Sequence, residues 1–173
     1  MKRHLIAGIL ALAALAAAPE AQVPNVALKD LGGRRVALKD VLAAGPAVVS
    51  FWATWCHPCQ EELKAMQRLH ETYGGDGAAF VAVSIDDAKT TGKVKALVKG
   101  RKYTLTVLLD PEQAAMKAFG LSEVPGVILL AQDGTRLYQH TGYKPGDEVA
   151  LEEAVKAALR PPQPACDSAG AGR

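Results

Sequence analysis

The sequence has no large excess of positive over negative charge, few aromatic residues and only three cysteines. It contains 20 lysines and arginines against 18 aspartates and glutamates. Because Lys2 and Arg3 fall in a predicted leader, the rest of the chain carries no net charge. Binding of nucleic acid depends on many uncompensated phosphate contacts, so no nucleic-acid partner is expected. Apolar residues make up 49% of the 173-residue chain, which excludes a wholly disordered chain and suits one globular domain.

The N-terminal apolar run is too short to span a membrane. Residues 1–18 pass from Lys2 and Arg3 through an apolar stretch that begins at Leu5 into Ala-rich sequence, the order typical of a secretory signal peptide. The stretch has roughly 14 residues, fewer than the ~20 that a spanning helix needs. We therefore expect a cleaved signal peptide, with its cleavage site left open, rather than a membrane anchor. The predicted location is the periplasm or another exported compartment, where cysteines serve first as redox or structural groups.

Strand and helix patterns alternate along the rest of the chain. Short alternating segments around residues 30–33 predict a β-hairpin laid over the edge of the domain, with strands at 26–28 and 36–38. Further strands are predicted at 47–53, 78–85, 105–109, 126–131 and 136–141, and helices at 57–73, 93–102, 112–119 and 147–159. This order predicts one α/β domain, residues 19–160, with a mixed central sheet and helices on both faces. Residues 161–173, rich in Pro, Ala and Gly, are expected to be a disordered tail.

Two cysteines separated by two residues stand where strand 47–53 gives way to helix 57–73. In the first turn of a helix, Cys56 and Cys59 lie close enough to form a disulfide. The sequence places Cys56 at the exposed helix N-terminus, where the helix dipole and a protonated His57 favour its thiolate. We expect Cys56 to attack a partner disulfide and the more buried Cys59 to resolve the mixed disulfide. His57 and Pro58, between the cysteines, are predicted to tune the redox balance.

The sequence has no second Cys-x-x-Cys pair, so a structural zinc site lacks its four ligands and no metal is expected. The third cysteine, Cys166, lies in the predicted tail. It is either a free thiol or the site of a mixed or intermolecular disulfide in an oxidising compartment.

Residues 51–59, Phe-Trp-Ala-Thr-Trp-Cys-His-Pro-Cys, together with Glu62 resemble the thioredoxin superfamily, specifically the periplasmic TlpA/ResA-like thiol:disulfide oxidoreductases. The resemblance extends from about residue 26 to residue 159 and includes residues 81–86, 108–111, 124–125 and 133–134. It implies a thioredoxin-like fold, dithiol chemistry and no bound cofactor. It also implies a reducing role toward haem-attachment cysteines or another exported protein's disulfide, with electrons from an upstream membrane or periplasmic donor.

The resemblance assigns roles to further residues. Glu62 matches an acidic residue of the family and, one helical turn from Cys59, would shuttle that thiol's proton. If Glu62 is buried, its pKa should rise toward neutrality. The alternative is an ordinary acidic residue that interacts with the helix dipole. Ser50 stands where thioredoxin has a buried acid, for which Glu62 would substitute.

The predicted substrate groove is formed by Trp55, Val124 and Pro125. Pro125 matches the family's cis-proline, although an X-Pro bond in general is cis only about 5% of the time. The next residues, 126–128, are Gly-Val-Ile instead of the family's common Thr-Thr-Phe. This departure leaves the contacts with a partner strand open.

The sequence leaves the direction of the reaction open. A Cys56 thiolate that is stabilised too strongly would make the disulfide an oxidant, and hence the protein an oxidase or isomerase. A binding module that borrows the fold without turnover is the non-enzymatic alternative.

Overall fold

The structure, a computed structural model, describes residues 23–160. The predicted leader, the C-terminal tail and Cys166 lie outside the described residues. Within residues 23–160, no helix combines the length and apolar character needed to cross a membrane.

Seven strands form one mixed sheet in the order β2-β1-β5-β4-β3-β6-β7. The central strands β3, β4 and β5 are parallel, and all other neighbours are antiparallel. The strands are β1 (Ala27–Asp30), β2 (Arg35–Ala37), β3 (Ala47–Trp52), β4 (Ala79–Ser84), β5 (Thr106–Leu109), β6 (Gly126–Leu130) and β7 (Arg136–Thr141). The helices are α1 (Leu38–Val41), α2 (His57–Tyr73), α3 (Thr91–Arg101), α4 (Ala114–Ala118) and α5 (Asp147–Leu159).

Helices cover both faces of the sheet, as predicted. The side chain of Ser50 on β3 bonds to Glu62 on α2. The next residue, Phe51, packs against Phe119 at the end of α4, with ring centroids 5.8 Å apart. Because successive side chains of a strand point to opposite faces, α2 and α4 lie on opposite sides of β3. All six residues of β3 are therefore buried, which explains their continuous apolar pattern.

The predicted boundaries of α2, β7 and α5 are confirmed residue for residue. The bounds of the other predicted elements shift by one or two residues. The start of α4 moves from residue 112 to Ala114, where the Asp110 carboxylate accepts the backbone N–H groups of Ala114 and Met116 at 2.9 and 3.0 Å. Sequence patterns did not predict the short helix α1 or the 3₁₀ turn at residues 42–44 that follows it.

The predicted N-terminal hairpin is present at the edge of the domain, where its two strands belong to the sheet. Its first strand, β1, pairs with both β2 and β5. Backbone hydrogen bonds along β1 are thereby satisfied on two sides, so the hairpin extends the sheet by two strands.

The packing of α2 against α5 includes a hydrogen bond in which the Tyr73 hydroxyl donates to Glu152 at 2.7 Å.

Candidate active site

Cys56 and Cys59 form a disulfide at the N-terminus of α2, with their Cα atoms 5.3 Å apart. Cys56 is the N-cap residue, and its Sγ accepts the Cys59 N–H at 3.3 Å. Pro58 occupies the first turn, where a missing N–H leaves no helical hydrogen bond unmade. The strand, its turn and the capped helix thus place both sulfurs at the carboxyl end of β3.

The prediction that Cys56 is exposed was wrong. Only 6% of Cys56 is exposed, and Cys59 is fully buried. The Cys56 sulfur is bonded to the sulfur of the fully buried Cys59 and accepts the Cys59 N–H, so both contacts draw it toward the first turn of the helix. The order of the two cysteines is nevertheless as expected, because Cys56 alone of the pair retains exposed surface.

The turn before Cys56 is held by Asp86. Asp86 lies in the segment 81–86 that resembles the family, and no role was predicted for it. The Asp86 carboxylate accepts the Thr54 N–H at 2.8 Å and the Thr54 hydroxyl at 2.5 Å. It also accepts the Ser84 hydroxyl at 2.9 Å. The side-chain amide of Gln60 donates to the Thr54 carbonyl oxygen at 2.9 Å. Asp86 therefore fixes the backbone that leads into Cys56. The available signal was an acidic residue two positions after the buried strand β4, which pairs with β3.

Glu62 lies in the core, one turn after Cys59 on α2, and only 3% of it is exposed. The Ser50 hydroxyl donates to its Oε2 at 2.6 Å. Burial raises the pKa of Glu62 to about 7; the Ser50 hydrogen bond lowers it by a smaller amount, and the Asp147 charge makes the smallest, upward contribution. Ser50 and Glu62 are thus brought together as expected, and the carboxyl group can gain or lose a proton near neutral pH.

The residues of the predicted groove differ in exposure. Trp55 is 70% exposed, beside the disulfide. The Val124–Pro125 peptide bond is cis, as the resemblance implied. In the register of β3 and β6, Phe51 pairs with Gly126, so Pro125 lies at the same end of β3 as the cysteines. Val124 is half-buried, and Pro125 is buried.

The residues between the cysteines, His57 and Pro58, are both exposed. Their effect on the redox balance stays a prediction.

Crowding around Gly126 explains why the chain departs from the family's common Thr after the cis-proline. A Cβ at Gly126 would lie 3.0 Å from Leu121 Cδ1 and 3.2 Å from the Glu123 carbonyl oxygen. The second of these atoms belongs to the backbone and cannot rotate away. A side chain at this position therefore requires the loop before β6 to move.

In the part of the chain that the structure describes, no group of three or more His, Cys, Asp or Glu side chains is arranged to hold a metal ion.

Comparison with known proteins agrees with this geometry. The sequence profile of the AhpC/TSA family matches residues 19–138. The thiol-disulfide oxidoreductase ResA of Bacillus thuringiensis subsp. konkukian is 30% identical over 135 residues, which cover 78% of this chain and 75% of that protein. A candidate thiol:disulfide interchange protein DsbE from Chlorobium tepidum superposes with a TM-score of 0.73 at 31% identity, over 80% of this chain and 95% of that one.

A thioredoxin-like protein from Porphyromonas gingivalis superposes with a TM-score of 0.69 at 36% identity, over 80% of this chain and 92% of that one. The two solved structures share the thioredoxin-like fold of this chain. The chain therefore belongs to the AhpC/TSA family, among its thioredoxin-like thiol:disulfide oxidoreductases.

Proposed function

We propose that this protein is an exported reductase of protein disulfides, in which Cys56 attacks, Cys59 resolves and Glu62 accepts the proton of Cys59. The observation that carries this proposal is the buried carboxyl group of Glu62 one turn from the buried Cys59, with a pKa of about 7. A buried thiol needs a proton acceptor before it can act as a nucleophile, because the thiolate is the attacking species. An acid that titrates near neutral pH is suited to that transfer.

The reaction begins with the reduced protein. The Cys56 thiolate attacks one sulfur of a partner disulfide; a bond forms between that sulfur and Cys56 Sγ, and the other partner sulfur leaves as a thiolate that takes up a proton. Cys59 then gives its proton to Glu62 and attacks Cys56 Sγ. The Cys56–Cys59 disulfide forms, and the partner's second sulfur is released as a thiolate. The partner gains two electrons, which an upstream membrane or periplasmic dithiol must return to the protein.

The remaining site residues act around this exchange. Trp55, exposed beside the disulfide, and the cis Val124–Pro125 bond form the two sides of the groove that receives the partner chain. His57 and Pro58 set the stability of the Cys56 thiolate and hence the reduction potential.

The substrates we propose are disulfides of exported proteins, including the paired cysteines of haem-attachment sites in cytochrome c maturation. Such sites have the sequence Cys-x-x-Cys-His, so a short peptide of this form, oxidised to its disulfide, is a suitable probe. Reduction of the peptide at a rate comparable to that of insulin disulfides supports this class. No reduction of the peptide, with insulin still reduced, removes it.

The direction is tested by equilibrating the Cys56–Cys59 pair with glutathione, in a protein that carries Cys166→Ser. A potential near the thioredoxin value of about −270 mV supports the reductase. A potential near about −120 mV shows an oxidant and favours the oxidase or isomerase.

Two variants separate an enzyme from a binding module. With an oxidised peptide, Cys59→Ser should accumulate a mixed disulfide through Cys56, and Cys56→Ser, the matched control, should accumulate none at that position. A protein that retains its partner without either cysteine is a binding module instead.

A further inference from the structure

Helix α3 and the residues beside it carry an unbalanced positive charge. Residues 88–109 contain no aspartate or glutamate. They contain six lysines and arginines, all exposed: Lys89, Lys93, Lys95, Lys99, Arg101 and Lys102. The rest of residues 23–160 has 11 lysines and arginines against 16 aspartates and glutamates. Positive charge is therefore concentrated at one helix, whereas the remainder of the described domain carries a net negative charge.

No carboxylate within residues 23–160 neutralises the six side chains. None of them forms a salt bridge there, whereas Lys64, Arg68 and Lys156 each pair with a glutamate. Pairs of opposite charge along an exposed helix face are common, but α3 has no acidic residue with which to form them. The helix thus presents uncompensated charge to any partner that approaches it.

The apolar side of α3 packs on the domain beside α2. Val94 and Val98 are buried. The Gln67 side chain of α2 accepts the Thr104 N–H at 2.9 Å and donates to the Thr104 hydroxyl at 2.7 Å, just after α3 ends. Because α3 connects the parallel strands β4 and β5, it begins at the edge of the sheet where the disulfide lies. A partner bound to α3 therefore lies beside the helix whose first turn carries the redox pair.

The residue types on α3 favour a diffuse anionic surface over a protein partner. Protein interfaces are depleted of lysine and depend on a few large aromatic or apolar anchors. Five of the six cations are lysines, and the uncharged exposed positions of α3 are Gly92, Ala96 and Gly100. None of the large exposed apolar side chains of residues 23–160 lies on α3. Clusters of about four to eight lysines and arginines on a helix are typical of binding to anionic lipid headgroups.

We infer that the basic surface of α3, formed by these six lysines and arginines, docks on the anionic headgroups of a membrane. The choice of a membrane rests on the export proposed above, which brings the protein to the outer side of a bilayer. Since the apolar side of α3 is packed on the domain, the helix has no large apolar side chain to insert, and the binding is electrostatic and reversible. The docked protein keeps its disulfide near the membrane, where the proposed dithiol donor lies.

Co-sedimentation with lipid vesicles measures this binding. The protein should partition more strongly onto vesicles of phosphatidylcholine and phosphatidylglycerol than onto vesicles of phosphatidylcholine alone. Raising the salt from about 0.1 M to about 1 M shortens the Debye length from about 10 to about 3 Å and should abolish this difference. All proteins compared have the same N-terminal segment, so any contribution of that segment is common to them.

Two triple variants test whether the lysines of α3 act through their charge. Lys93→Gln, Lys95→Gln and Lys99→Gln together should weaken binding to the anionic vesicles on the order of 100-fold, since each charge contributes about fivefold near such a surface. Arginine at the same three positions should preserve the binding. An unchanged reduction potential of the Cys56–Cys59 pair shows that the glutamine variant is folded.

The matched control removes three exposed lysines outside α3. Lys39→Gln, Lys117→Gln and Lys144→Gln together change the net charge by the same amount, and this variant should bind the vesicles as the unchanged protein does. Equal losses in the two glutamine variants would show an effect of net charge and overturn the docking surface.

The remaining outcomes separate the docking surface from the proposed function. Binding no stronger to anionic than to neutral vesicles overturns the docking surface. If poly-glutamate binds to α3 and anionic vesicles do not, the partner is an acidic protein and the membrane surface is likewise overturned. In either case the reductase stands if the protein still reduces insulin disulfides. An oxidising potential of the Cys56–Cys59 pair removes the reductase, whatever α3 binds.

Discussion

Replacement of Glu62 by glutamine should stabilise the oxidised protein at neutral and alkaline pH. The pKa of Glu62 rises from an ordinary value of 4.5 to about 7 on folding, chiefly because of burial. Each pKa unit corresponds to about 1.4 kcal/mol, so ionised Glu62 costs the folded state about 3 kcal/mol. Glutamine carries no charge at any pH, and its Oε1 can still accept the Ser50 hydroxyl. The full 3 kcal/mol is an upper limit, because the amide hydrogens of glutamine also need partners.

The pH range of the effect follows from proton binding. Below about pH 4.5 Glu62 is protonated in both the folded and the unfolded protein, so it adds no pH dependence there. Between about pH 4.5 and 7 the folded state binds more protons than the unfolded state, and the free energy of unfolding falls as the pH rises. Above pH 7 the cost of the buried charge is complete. Glu62→Gln should remove this decline.

The assay is urea unfolding of the oxidised protein at intervals from pH 4 to pH 8.5, with and without the substitution. Glu61→Gln is the matched control, since Glu61 is the preceding residue, is 41% exposed and pairs with Lys64 at 2.7 Å. Its hydrogen bond with Lys64 lowers the pKa of Glu61, so its loss should change stability little and in the opposite direction. The reasoning is refuted if Glu62→Gln and the unchanged protein show the same slope of stability against pH.

Two further predictions concern the support of the site and of the sheet. Asp86→Ala should lower the free energy of unfolding in urea by about 3 kcal/mol, because the Thr54 N–H, the Thr54 hydroxyl and the Ser84 hydroxyl lose their acceptor. Asp87→Ala, at an exposed neighbour, is the control. A loss in Asp86→Ala no greater than in Asp87→Ala would contradict the role of Asp86. Gly45→Ala should lower stability by about 1–3 kcal/mol, because φ is 151° and a Cβ would collide with the Gly77 carbonyl oxygen. Gly75→Ala, with open space at its Cβ, is the control, and an equal effect of both substitutions would refute the argument.

Local patterns were sufficient for most of the fold. The periodicity of apolar residues and the Gly-Gly stop predicted α2 exactly, and the Asp-Gly turn predicted the start of β7. These features depend on residues close together in the chain. The predicted bounds of α4 differ from the observed ones by up to two residues; its first backbone N–H groups bond to the Asp110 carboxylate, a contact that the periodicity of apolar residues does not record.

The redox pair follows from local sequence, because two cysteines separated by two residues in the first turn of a helix lie within disulfide distance. The support of that pair depends on contacts between distant parts of the chain. The turn before Cys56 is held by Asp86, 32 residues from Thr54. The pKa of Glu62 depends on its burial, on Ser50 and on the charge of Asp147. Desolvation and charge interactions act through space between residues far apart in the chain, so no local pattern records them.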